Sequence, residues 1–168
     1  MGIGRILLTL PFIVACQSAV PDTTPAPEAR VSPGYDLTLP VSEIMHLIVE
    51  PAAEVPWESA GEVVTAEATI DKSPTDEAGW HRVEAAGAMI VEAGNLLLLP
   101  GRDNGREDWR LFVQSMSARG HEVMQAALAR DKEALFQAGA DLYSACVACH
   151  QVYVIPQAEA AARAPAGT

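Results

Sequence analysis

Residues 131–153 read "DKEALFQAGADLYSACVACHQVY". Leu135, Ala138, Leu142, Cys146 and Cys149 recur at helical spacing along this stretch, and Asp131 stands where an N-cap belongs. The stretch therefore reads as an amphipathic helix. Cys146, Cys149 and His150 occupy positions i, i+3 and i+4, so all three project from one face.

Three further segments carry the same period. The nearest, about Glu107 to Ala129, has the stripe Trp109, Phe112, Met116, Gly120, Val123 and Ala127. Before it, "GRDNGRED" is a loop, and before that a helix opens at "SPTDEAG" with Ser73 as N-cap and Pro74 at its first position. The stripe of that helix is Trp80, Val83, Gly87, Ile90, Gly94 and Leu97, ending at Pro100-Gly101. The first segment, about Val41 to Ser59, carries Val41, Met45, Ile48, Ala52 and Val55. Pro51 and Pro56 each remove a backbone donor there and predict a kink or a break. No segment alternates as a strand, and there is no internal repeat. Four helices with short connections, apart from a longer link over Gly61–Lys72, predict an all-α, antiparallel four-helix bundle across residues 41–155. Alanine and glycine thin the inner stripes, which predicts a core with room for something other than a side chain.

The 168-residue chain holds 22 Asp and Glu against 11 Lys and Arg, for a formal charge of −11. Such a balance argues against nucleic acid and anionic lipid as partners and favours proteins with a basic docking face. At the start, "MGIGRILLTLPFIVAC" sets one charge, Arg5, before an apolar run too short to span a bilayer. The run and the "IVAC" that closes it resemble the lipobox of bacterial lipoproteins. That resemblance implies a signal peptide over residues 1–15, lipid on Cys16 and, with Gln17 next, an outer-membrane anchor facing the periplasm. Membrane contact would then be through the anchor alone. Residues 16–40, with five prolines after Ser18, read as a semi-extended tether, and residues 156–168 as a disordered tail.

With Cys16 lipidated, two thiols remain, and Cys146-Val147-Ala148-Cys149-His150 is a C-x-x-C-H. This is the spacing of c-type haem attachment: each thiol adds to a vinyl group, and the adjacent imidazole reaches the iron as proximal ligand. The rival chemistries fit less well. A structural zinc site takes four protein ligands. A thioredoxin-like pair sits at a helix start after a strand. A disulfide across i, i+3 is strained and gives His150 no task.

A helical bundle with one C-x-x-C-H near the end of its last helix resembles the class II cytochromes c, the cytochrome c′ and cytochrome c-556 group, over about Leu39 to Tyr153. "CVACHQVY" is similar to the family's C-x-x-C-H-x-x-Y-R, with Tyr153 matching the tyrosine and Val154 replacing the arginine. "MHLIVEPAAEVPW" resembles the first helix of the same group. The resemblance implies one covalent haem c on the last helix, with Tyr153 near it and a distal ligand from the first helix. Members often dimerise, so a homodimer is among the states it implies.

Met45, on the inner stripe of the first segment, is nominated as sixth ligand by resemblance and periodicity together. His46, about 100° further round the helix, is its rival. His81 and His121 flank their stripes and read as solvated, Met116 as core, and Trp57, Trp80 and Trp109 as bulky packing residues. No nucleophile–base pair or paired-carboxylate site is present, so an enzyme is not expected. Two functions stay open: periplasmic electron transfer through His150/Met-ligated iron, or capture of nitric oxide or carbon monoxide at five-coordinate iron. A structural lipoprotein whose haem has little use is a third.

Overall fold

The computed structural model describes Met1, residues 34–103 and residues 105–158. The expected signal peptide, Cys16 and most of the tether lie outside the described residues, as do the last ten residues of the tail. In chain order the elements are α1 (Val41–Ile44), a π-helical stretch (Met45–Val49), α2 (Glu50–Glu58), β1 (Glu62–Val64), β2 (Thr69–Asp71), α3 (Glu77–Leu97), α4 (Glu107–Ala129) and α5 (Lys132–Tyr153). Together they make an all-α bundle packed mainly through α3, α4 and α5, with one small hairpin at its side.

The three long helices follow their stripes closely. Trp80, Val83, Gly87, Ile90, Gly94 and Leu97 are all buried on α3. Trp109, Met116, Gly120, Val123 and Ala127 are buried on α4, with Phe112 at the edge. Glycines close the gap between these two helices rather than leaving room. A Cβ on Gly87 would stand 2.8 Å from the Gly120 carbonyl oxygen and 2.7 Å from Met124 Cγ. One on Gly94 would collide with the Ser117 hydroxyl. Gly87 opposite Gly120, then Gly94 opposite Ser117, shows α3 and α4 running antiparallel. Gly139 on α5 instead receives the Trp57 indole, whose Nε1 donates to the Gly139 carbonyl at 2.9 Å. The expected spare room along the inner stripes is therefore filled by close backbone approach.

Caps match the sequence at one helix and differ at another. Asp131 accepts from Ala134 N at 3.0 Å and starts α5. Helix α3 begins at Glu77, capped by Asp76 accepting from Gly79 N at 2.8 Å, and not at Ser73. Ser73 is buried, and its backbone N–H is taken by the Asp71 carboxylate at 2.8 Å, in a turn that follows β2. The hairpin, with Val63 opposite Ile70, occupies the longer link over Gly61–Lys72. Its strands have three residues each and are exposed throughout, too short and too one-sided to show an alternation.

The first segment departs most. It neither breaks at Pro51 nor at Pro56; it stays helical from Val41 to Glu58 by widening one turn. Pro51 offers no N–H, and its ring would press on the carbonyl four residues back. In the π turn just before it, Glu50 N donates to the Met45 carbonyl, five residues back. The wider turn resets the helical phase. Ile44 and Val49, five apart, are both buried, followed by Ala52, Ala53 and Pro56. The expected stripe Val41, Met45, Ile48 and Val55 lies half-buried along its edge.

Two contacts tie the end of the expected tether to the bundle. Arg102, itself buried, donates from Nη1 to the Leu96 carbonyl at 2.9 Å and from Nη2 to the Leu39 carbonyl at 3.3 Å. Leu37 lies over Gly101.

Candidate functional site

Three chain ends meet at one end of the bundle: the last turns of α5, the first turn of α4 and the end of α3. Trp109 Nε1 donates to the Leu97 carbonyl at 2.9 Å, fixing α4 on α3. Tyr153 fixes α5 on α4. Its hydroxyl donates to Asp108 Oδ1 at 2.6 Å and accepts from Arg106 Nε at 2.9 Å, while its ring meets Trp109 and Phe112 edge-on at 5.1 and 6.0 Å. The Arg106 guanidinium lies 4.9 Å from the same ring centroid.

Beyond Leu142 the packing changes. Leu135, Ala138, Gly139 and Leu142 are buried, but none of residues 143–158 is. Cys146 and Cys149 continue the inner stripe as half-buried thiols, and His150 is exposed. The helical register thus sets a pair of thiols and an imidazole on one open face. Met45, the first residue of the π stretch, is half-buried and packs against the same apolar cluster as Cys146 and Tyr153. His46 points away: it is exposed, and its Nδ1 is 2.9 Å from Glu50 Oε2. His81, 3.3 Å from Glu84, and His121 are exposed as expected, and Met116 is core.

The surroundings of the two thiols disfavour their ionised form. Burial pushes the Cys146 thiol up, and Cys149 is raised by burial first, then by the charges of Cys146 and Asp108. Neither thiol is near the N-terminus of α5, where the helix dipole would favour a thiolate. A redox or nucleophilic cysteine needs the opposite, a lowered pKa at a helix N-terminus. Both thiols are unbridged. Among the described residues, no three His, Cys, Asp or Glu side chains converge on a point that could hold an ion. A zinc site requires that convergence. Haem attachment does not, since two thiols at the porphyrin edge and an imidazole at its centre engage atoms several bonds apart. Two thiols and an imidazole at i, i+3 and i+4 are the donor types that a covalently attached haem takes.

Sequence reasoning missed Arg106 and Asp108. They stand about 45 positions from Tyr153, in a segment read only as a charged loop, and no periodicity links them to α5. Two surface grooves, of about 630 and 460 Å³, lie elsewhere, one beside Trp80 and His81 and the other along Arg119 and Asp141. Among the described residues, no helix is long and apolar enough to cross a membrane. No family model, curated protein or solved structure matches the chain.

Proposed function

We propose that this chain is a monohaem c-type cytochrome resembling the class II group, built as an antiparallel four-helix bundle and working in electron transfer. The observation that carries the proposal is the face of α5: two half-buried, unbridged thiols and an exposed imidazole at i, i+3 and i+4, at the end of the helix where core packing stops. Cys146 and Cys149 would hold the haem. Each S–H adds across a vinyl double bond, forming a C–S bond at one carbon while the hydrogen passes to the other. His150, on the same face, supplies the proximal nitrogen, and the haem supplies a one-electron couple.

Met45 is the distal ligand in this reading, from the π turn that Pro51 imposes. One observation favours the five-coordinate, gas-binding alternative. The first-segment side chains that point most squarely inward are aliphatic, Ile44 and Val49, and neither can bind iron. Absorption spectra of the purified protein, oxidised, reduced, and reduced under carbon monoxide, separate the two. A low-spin spectrum unmoved by carbon monoxide supports electron transfer; a high-spin spectrum that shifts supports gas capture.

The proposal extends to the rest of the chain. Lipid on Cys16 would anchor the protein at the periplasmic face of the outer membrane, with residues 18–40 as tether. The acidic balance suits redox partners with a basic face. Retention of label from radioactive palmitate by the whole chain, and its loss in Cys16→Ser, tests the anchor; equal labelling of both would reject it.

A further inference from the structure

Beside the thiols, the first turn of α4 carries a pair of opposite charges that the attachment chemistry does not use. Asp108 accepts from Arg106 through both oxygens, Nη2 to Oδ2 at 2.6 Å and Nε to Oδ1 at 3.1 Å. Tyr153 joins the pair to α5, donating to the same Oδ1 and accepting from Arg106 Nε. Tyr153 lies one helical turn beyond Cys149 and His150 and packs against the same apolar cluster as Cys146. The hydroxyl and the carboxylate therefore stand close to the attachment face on a rigid anchor, since Trp109 next to Asp108 is buried and bonded to α3.

We propose that Arg106 and Asp108, held in place by Tyr153, stand close enough to the haem on Cys146, Cys149 and His150 that each charge acts on its reduction potential, and that their pairing keeps the two opposite effects in balance. The inference rests on the haem reading and adds residues to it. Ferric haem carries one more positive charge than ferrous haem. A nearby carboxylate favours the ferric state and lowers the potential; a guanidinium raises it. Paired, the two nearly cancel. Removing either exposes the other, so the two neutralising variants must move the potential in opposite directions. Asp108→Asn leaves Arg106 unopposed and raises it. Arg106→Gln leaves Asp108 unopposed and lowers it. Tyr153 is a positioning residue: without its hydroxyl the pair can swing toward solvent, and both effects shrink.

The test is a potentiometric titration of the full chain, haem attached, for wild type, Asp108→Asn, Arg106→Gln and the double variant. Each single variant is expected to change the ferric-to-ferrous equilibrium by about threefold, a shift of ~28 mV for one electron, with opposite signs, because both side chains are part-exposed and screened by solvent. The double variant is expected to return near the wild-type potential. A purely structural role gives a different pattern, because loosening this end admits water and moves all three variants in one direction. That pattern, or no shift in any variant, overturns the charge-pair inference while leaving the haem reading intact. A chain that carries no haem overturns both.

Discussion

His150 is an exposed imidazole on the same face as two half-buried thiols. Its replacement by Ala removes the axial nitrogen but neither thioether, so haem should stay covalently bound while the low-spin spectrum is lost. A low-spin spectrum that survives would reassign the ligand. Met45→Ala is expected to open the iron to carbon monoxide; an unchanged spectrum would make Met45 a packing residue. Asp108 gives a pH signature of its own. Arg106, then the Tyr153 hydroxyl, hold its carboxyl down to about 2, below the ordinary 3.8. Its folded value is depressed, so its contribution is complete above the ordinary value and is lost as pH falls toward 2. Denaturant midpoints should therefore fall less steeply from pH ~4 to pH ~2 in Asp108→Asn than in wild type. Parallel curves would show that the pair contributes nothing to stability.

At the scale of elements, the contact between α3 and α4 depends on three glycines, Gly87, Gly94 and Gly120. Gly87→Ala places a methyl group within 2.8 Å of the Gly120 carbonyl, a backbone atom that cannot rotate away. The helices must separate, and a loss of about 1–3 kcal/mol in chemical denaturation is expected; a neutral Gly87→Ala would mean that the helices slide freely. The long helices were legible because a constant period of 3.6 runs through α3, α4 and α5 and a strong cap, Asp131, marks one start. The first segment was not, because its period is not constant: the π turn before Pro51 spaces Ile44 and Val49 by five and moves Met45 to the edge. At the candidate site, Cys146, Cys149 and His150 are local in sequence and therefore visible. Arg106 and Asp108 reach the site only through the folding of α4 against α5, and nothing local records that.

Over the whole molecule, the core is dense where α3, α4 and α5 meet and thins where the three thiol-and-imidazole positions emerge. The closed end supplies stability: Leu135 is fully buried, and Leu135→Ala should cost about 2–5 kcal/mol in denaturant unfolding. A loss well under that range would show the core to be loosely packed. In the proposed cytochrome the open end would supply the chemistry, and the acidic balance would suit approach by a basic partner. The measurement that tests this account most directly is the haem content of the purified chain after acid–acetone extraction, from a host able to attach haem to C-x-x-C-H sequences. One haem per chain should resist extraction, and Cys146→Ser with Cys149→Ser should abolish it. A wild-type chain that is colourless, or that gives up its haem to the solvent, would contradict the central claim.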